Sequence, residues 1–111
     1  MSAITTHVLD MAKGLPAAGL PVLLEYLAGA EWTPVGTGVT DDDGRCRDLM
    51  FADRHLEPGQ YRITFDTGRY FAEQAAFYPS VIVMFVVPDS AVHYHVPLLL
   101  SPYGYSTYRG S

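Results

Sequence analysis

Four histidines are the groups in this sequence best suited to proton transfer, because imidazole changes charge near neutral pH. They are His7, His55, His93 and His95. His93 and His95 are two positions apart in a predicted strand, so both side chains lie on one face of it. His7 lies within another predicted strand, where a histidine is either a catalytic group or a hydrogen-bonded structural residue. We interpret His55, in a polar stretch, as a surface residue.

The His93-x-His95 pair also permits a zinc site that includes His7, because two histidines on one strand face with a third elsewhere is a known zinc geometry. No carboxylate lies at a suitable spacing nearby. Cys46 is the only cysteine, which excludes both an intrachain disulfide and a zinc site with two cysteines. We therefore predict no metal site and no organic cofactor.

Arg45 follows an acidic turn at residues 41–44. The Asp43-Gly44 pair predicts a hairpin turn, because glycine adopts positive φ readily. The spacing of the aspartates does not fit a calcium-binding EF-hand loop. A guanidinium at such a turn can hold a carbonyl or anionic oxygen through two hydrogen bonds. The alternative interpretation is a solvated arginine.

The elements that position these residues are predicted to be strands. Turn signals recur at short intervals between runs rich in Val, Ile, Leu, Thr, Tyr and Phe, which is typical of an all-β sandwich or barrel. Residues 69–76 contain good helix formers and follow Asp66 and Thr67, either of which can cap a helix, so we predict one short helix there. The predicted strands cover residues 4–9, 22–27, 33–40, 60–66, 81–87, 93–99 and 103–108, and a further short strand is predicted at 48–51.

The strand at residues 81–87 is apolar at nearly every position, which is typical of a strand buried on both faces. We predict a subunit interface there; the alternative is a central strand beneath a loop. The 111 residues form a single predicted domain, 1–111, whose first strand must pair with a later one. A domain of this size buries only about 65% of its unfolded surface, so oligomerisation would add burial.

Charge and hydropathy exclude several classes of partner. The formal net charge is -5, so phosphate backbones repel the chain and nucleic acid is not an expected partner. The longest apolar run, residues 81–88, is too short to span a bilayer. The first ten residues do not read as a signal peptide. We therefore expect a cytoplasmic protein that binds neither nucleic acid nor membrane.

Taken together, these motifs resemble those of the 5-hydroxyisourate hydrolases, the transthyretin-related enzymes of urate degradation. The resemblance covers essentially the whole chain. Its most specific segments are residues 93–102 and the terminal Tyr-Arg-Gly-Ser; it also includes His7 within Thr-His-Val-Leu-Asp and the Asp-Gly-Arg turn. Transthyretin itself, a hormone carrier, lacks this combination of two histidines, arginine and terminal tetrapeptide.

The resemblance implies a transthyretin-like two-sheet β-sandwich of about eight strands, four in each sheet, with one short helix. It implies a homotetramer built as a dimer of dimers, with active sites along a channel between the dimers. The implied reaction is hydrolysis of a cyclic amide bond of 5-hydroxyisourate, a small-molecule substrate. The implied product is 2-oxo-4-hydroxy-4-carboxy-5-ureidoimidazoline.

Such a hydrolysis needs a base for water, a stabiliser for the oxyanion and a proton for the leaving nitrogen. His7 is our first choice for the base, and His95 would orient it or relay protons, although these two roles could be exchanged. Arg45 would hold a substrate carbonyl and stabilise negative charge. The C-terminal segment would supply the groups that bind the substrate edge or hydrogen-bond the water: Tyr108, Arg109, Gly110 and Ser111.

Three other classes remain open from the sequence. A transthyretin-like binding protein would show ligand affinity without turnover. A zinc hydrolase that uses His7 with His93 or His95 would lose activity with a chelator. A structural β-sandwich, in which the C-terminal segment is a frayed tail, would not explain why the polar motifs fall at the enzyme's positions.

Overall fold

The computed structural model describes residues 2–111 and contains two β-sheets and one short helix. No helix in the described part of the chain is long and apolar enough to cross a membrane. The elements are β1 (Ile4–Asp10), β2 (Leu15–Pro16), β3 (Pro21–Ala28), β4 (Glu31–Val39), β5 (Arg45–Cys46), β6 (Gly59–Phe65), α1 (Thr67–Tyr70), β7 (Val81–Val87), β8 (Tyr94–Ser101) and β9 (Gly104–Thr107).

The strands form two sheets, which confirms the predicted all-β two-sheet sandwich. The first sheet has the order β2-β1-β8-β9, with β5 also paired to β1, and the second has the order β4-β3-β6-β7. The first sheet therefore has five strands instead of the implied four. The extra strand arises because β2 and β5, each two residues long, pair with different parts of the same edge of β1.

The core lies between the two sheets and is built from alternate residues of β1, β6 and β8. In β6, Tyr61, Ile63 and Phe65 are fully buried, whereas the residues between them are half-buried. In β1 the even-numbered residues face the core, and in β8 the residues Val96, Leu98 and Leu100 do so. Fully burying each such side chain contributes about 1.5–3 kcal/mol of transfer free energy. This alternation leaves the odd-numbered residues of β1 on the opposite face of the sheet.

The short helix begins earlier and ends sooner than predicted. The sequence predicted residues 69–76, but α1 spans Thr67–Tyr70. The side chain of Asp66 caps it by accepting a hydrogen bond from the backbone N–H of Arg69. Residues 72–77 are exposed turns. A helix of this size depends on tertiary packing, and those exposed residues neither belong to the buried core nor pack against it.

One strand prediction differs from the structure, and the strand at 81–87 has the predicted bounds. Residues 48–51 form no strand and contribute only an isolated bridge between Met50 and Gly36. β7 lies at the edge of its sheet, with an exposed face formed by Ile82, Met84 and Val86. Within a single chain, β7 is therefore covered on one face only.

Candidate active site

The register of three strands places the predicted site residues on one face of the first sheet. β5 pairs Arg45 with His7, and β8 pairs His95 with Thr5. Directly opposed residues of paired strands project to the same side, and Thr5 and His7 are two positions apart. All four side chains therefore lie on the face turned away from the second sheet, which we call the outer face.

A cleft of about 330 Å³ opens on the outer face. Every residue that lines it has a polar side chain: Thr5, Thr6, Arg45, Arg47, His93, His95 and Ser111. A second depression of about 230 Å³ shares His95 with the cleft and is mostly apolar, with Tyr108 and Arg109 beside Val83 and Phe85. Five of the seven predicted site residues line these two depressions, with His95 common to both, whereas His7 and Gly110 line neither.

His7 is oriented by the acidic turn. Its Nε2 atom lies 2.8 Å from the carbonyl oxygen of Asp43. Because a carbonyl only accepts hydrogen bonds, Nε2 must carry the proton, which leaves Nδ1 of the neutral ring as an acceptor. The turn is held against β1 by the N–H of Val8, which donates to the carbonyl of Gly44. Gly44 has φ +74°, and a Cβ atom there would lie 2.3 Å from the Val8 carbonyl oxygen, so the turn requires glycine.

Asp41 shapes the same turn. Its carboxylate accepts hydrogen bonds from the backbone N–H groups of Arg45 and Asp43. The bond from Arg45 is the main cause that lowers the pKa of Asp41, so the carboxylate stays ionised at neutral pH. Among residues 2–111, Arg47 pairs with Asp41 at 3.2 Å, whereas the Arg45 guanidinium makes no ion pair. The Arg45 guanidinium is therefore available to an oxygen of a bound molecule.

His95 is held by a hydroxyl group on the neighbouring strand. Its Nδ1 atom lies 2.8 Å from Oγ1 of Thr5. Burial lowers the pKa of His95 from its ordinary value of 6.5, and the positive charges of Arg45, His7 and His93 lower it further. The ring is therefore neutral at pH 7, which is the form that can take a proton from water.

The C-terminal segment is attached to His95. The N–H of Gly110 donates a 2.9 Å hydrogen bond to the carbonyl of His95, in an isolated antiparallel bridge. A Cβ atom at position 110 would lie 2.6 Å from Cδ2 of the His95 ring, so the backbone approaches the imidazole as closely as only glycine permits. The guanidinium of Arg109 lies 4.9 Å from the ring centre of Tyr94, and Tyr108 is exposed. Ser111 reaches the cleft.

Comparisons with known proteins decide the family. A sequence model described as the HIUase/Transthyretin family matches residues 4–110. The chain belongs to this family. It is 47% identical over 110-odd residues to a 5-hydroxyisourate hydrolase of Mus musculus, covering 99% of this chain and 96% of that protein.

Solved structures of the same family share the fold. Transthyretin from Sparus aurata superposes with a TM-score of 0.91 at 30% identity, covering 99% of this chain and 97% of the other. The 5-hydroxyisourate hydrolase of Klebsiella pneumoniae superposes with a TM-score of 0.81 at 34% identity, covering 97% and 98%. A protein named transthyretin and a protein named 5-hydroxyisourate hydrolase therefore both share this fold.

Within the described part of the chain, no three His, Cys, Asp or Glu side chains converge in a way that could hold a metal ion. His93 and His95 both approach the Thr5 hydroxyl, which lies between them. His55 is exposed on a separate groove formed with Met50 and Phe51.

Thr5 is the site residue that the sequence analysis missed. Its hydroxyl also lies 3.0 Å from Nε2 of His93, so it contacts two of the four histidines. The period-two pattern contained the signal, because Thr5 and His7 must share a face of β1. His93, which was not assigned a catalytic role, is exposed and precedes the first residue of β8.

Proposed function

We propose that this chain is a 5-hydroxyisourate hydrolase, which opens a cyclic amide ring with water to give 2-oxo-4-hydroxy-4-carboxy-5-ureidoimidazoline. The observation that carries the proposal is the cleft on the outer face, which is lined by a neutral imidazole and by an arginine that makes no ion pair within residues 2–111. The identity to a protein named for this activity supports the same conclusion.

We assign the removal of a proton from water to His95, which exchanges the roles first expected for the two histidines. His95 lines the cleft and its lowered pKa keeps it neutral. His7 is tied to Asp43 through Nε2, which leaves only Nδ1 to accept a hydrogen bond. We therefore assign His7 to orienting the water or a substrate N–H group. General-base catalysis of this kind raises the reaction rate by a factor of about 10²–10⁴.

The other groups would bind and polarise the substrate. Arg45 would stabilise the oxyanion that forms when water adds to the carbonyl, since a fixed cation is most effective where charge develops. Ser111, which also lines the cleft, would hydrogen-bond the attacking water or the ring. Tyr108 and Arg109 would bind the substrate edge from the adjoining depression, and Gly110 would hold this segment against His95.

We also propose a homotetramer, a dimer of dimers, in the cytoplasm. β7 and β9 are edge strands, and an unpaired strand edge readily pairs with another chain. Ile82, Met84 and Val86 add an exposed apolar face to β7, and the single cysteine suits a reducing compartment. Light scattering at micromolar concentration tests the assembly, and a monomer would contradict it. Cell fractionation tests the compartment.

The activity is tested by adding purified protein to freshly generated 5-hydroxyisourate. We expect its absorbance to decay far faster than in the spontaneous reaction, with the ring-opened product formed in equal amount. The matched control is His95→Ala protein at the same concentration. A binding protein of the transthyretin type would instead give heat of binding in calorimetry while the absorbance decays at the spontaneous rate.

A further inference from the structure

Two histidine rings and one hydroxyl form a continuous chain across the cleft. Oγ1 of Thr5 lies 2.8 Å from Nδ1 of His95 and 3.0 Å from Nε2 of His93. Thr5 is buried, His95 is half-buried and His93 is exposed. The chain of atoms therefore runs from the half-buried base, through a buried hydroxyl, to a ring in contact with solvent.

The protonation of the His93 and His95 rings is coupled through the Thr5 hydroxyl. A threonine hydroxyl has one proton to donate and lone pairs with which to accept. When both neighbours are neutral imidazoles, the hydroxyl donates to one ring nitrogen and accepts an N–H from the other. Either His95 is protonated on Nδ1 and His93 receives the Thr5 proton at Nε2, or the reverse holds. A change of tautomer in one ring thus requires a change in the other.

We propose that Thr5 and His93 form a proton relay that carries the proton taken up by His95 out to solvent. The proposal rests on the hydrolase function proposed above and adds two positioning residues to it. Neither residue is required to touch the substrate, because both act through His95.

The relay step balances in atoms and charge. In the resting state, Nδ1–H of His95 donates to Thr5, whose O–H donates to Nε2 of His93, while Nε2 of His95 has a free lone pair. Nε2 of His95 takes a proton from the attacking water and the ring becomes an imidazolium. Its Nδ1 proton then passes to Oγ1 of Thr5, and the Thr5 hydroxyl proton passes to Nε2 of His93. The charge now resides on His93, and His95 is neutral with its proton on Nε2. When His95 gives that proton to the leaving nitrogen, the relay runs in reverse: Nδ1 of His95 takes a proton from Thr5, Thr5 takes one from Nε2 of His93, and His93 recovers from solvent the proton that it released.

The surroundings favour transfer in this direction. The ionisable side chains that face His95 are Arg45 on β5, His7 on β1 and His93 just before β8, and Arg47 lines the same cleft. Together with burial, they disfavour a positive charge on His95. His93 is exposed, so water solvates an imidazolium there. His93 then releases its proton to bulk solvent or to buffer.

The relay is tested by steady-state kinetics on four variants of the full chain. Thr5→Val removes the hydroxyl at nearly constant volume, and Thr5→Ser keeps it. His93→Gln removes the titrating ring at an exposed position. His55→Gln is the matched control, an exposed histidine on a separate groove. We expect Thr5→Val and His93→Gln to lower kcat by about 10- to 100-fold with KM changed less than threefold, consistent with loss of proton-transfer help.

Three further readouts separate a relay from a merely structural role. Thr5→Ser should restore kcat to within threefold of the unmodified protein. Added imidazole buffer should raise kcat of His93→Gln in proportion to its concentration, because it replaces the missing proton acceptor. The double variant Thr5→Val/His93→Gln should be no slower than Thr5→Val alone, because both changes interrupt one path.

The outcomes distinguish the relay from the hydrolase proposal. If the unmodified protein does not accelerate hydrolysis, both proposals fail. If it is active and His93→Gln keeps kcat within twofold, the relay alone is overturned. A Thr5→Val protein that is slow and a His93→Gln protein that buffer does not rescue would also overturn it, because the hydroxyl would then only position His95. Nitrogen-15 NMR of the histidines provides an independent check: we expect the tautomer of His95 to change in Thr5→Val.

Discussion

The two faces of β1 have different roles. On the inner face, Ile4 and Val8 are fully buried in the core between the sheets. On the outer face, Thr5 and His7 lie beside Arg45 and His95. The same seven residues thus supply both hydrophobic packing and the candidate chemistry. A shift of one residue in register would exchange the two faces, so the packing of the inner face fixes the geometry of the outer one.

The largest expected effect comes from the outer face. We expect His95→Ala and His7→Ala each to lower kcat by about two to four orders of magnitude, the usual worth of a general acid–base group. Their melting temperatures should change little, because neither side chain belongs to the core. Stopped-flow absorbance measures the rate, with His55→Ala as the control. Near-normal turnover in both variants would remove the acid–base assignment.

The inner face should show the opposite behaviour. Leu98→Ala removes a fully buried side chain of β8, whose register partner in β1 is Val8. We expect the free energy of unfolding to fall by about 2–5 kcal/mol, the usual effect of such a cavity. Urea denaturation measures it, and kcat of the folded protein should stay within a few-fold. A large loss of kcat with unchanged stability would contradict this division between faces.

Removal of residues 108–111 sharpens the comparison, because the segment joins the outer-face site through Gly110 and Ser111. We expect a protein ending at Thr107 to lose about a hundredfold in activity, the order of effect seen when a positioning group is lost. Its melting temperature should stay within a few degrees, because the C-terminal residues are mostly exposed. Calorimetry and light scattering check that it still folds and assembles. Normal turnover would exclude Tyr108 to Ser111 from the site.

A smaller effect is expected from pH. The pKa of His95 is lowered from 6.5 in the folded protein, so between that lowered value and 6.5 the unfolded chain binds more protons than the folded one. Stability contributed by neutral His95 is therefore present above pH 6.5 and is lost as pH falls through this window. We expect kcat/KM to stay constant down to pH 6.5 and to fall only below it. The pH dependence of melting should be flatter in His95→Gln; an equal slope would contradict the assignment.

The smallest expected effect is that of a chelator. Within the described residues no three potential ligands converge, and Thr5 occupies the position between His93 and His95. We therefore expect dialysis against a strong chelator to leave kcat unchanged. Atomic absorption on the purified protein provides the control. Loss of activity that returns when zinc is added would establish the zinc hydrolase instead.

The sequence predicted the sandwich because alternation and turn residues are local signals. The sequence analysis also predicted that the first strand pairs with a later one, and β1 pairs in parallel with β8. Two kinds of feature were not predicted from the sequence. The strands β2 and β5 are too short for any periodic pattern, and α1 is fixed by the Asp66 cap and by tertiary packing rather than by propensity.

The candidate site was predictable by residue type but not by contact. His7, Arg45 and His95 stand out in the sequence because few other side chains can move protons or hold an oxygen. The contact of Thr5 with both His93 and His95 depends on the register between β1 and β8. In the sequence, Thr5 is 88 residues from His93 and 90 residues from His95. Nothing near Thr5 in the sequence distinguishes it from an ordinary strand threonine.

The parallel pairing of β1 with β8 also governs when the site can exist during synthesis. Thr5 and His95 are separated by 90 residues, so a nascent chain holds one half of the relay long before the other half has been made. Contacts of such long sequence separation form late and slow the folding of β-proteins. The edge of β1 that pairs with β8 therefore stays unpaired until β8 emerges from the ribosome. Catalytic activity during refolding should accordingly appear among the last signals, after the local hairpin of β3 and β4.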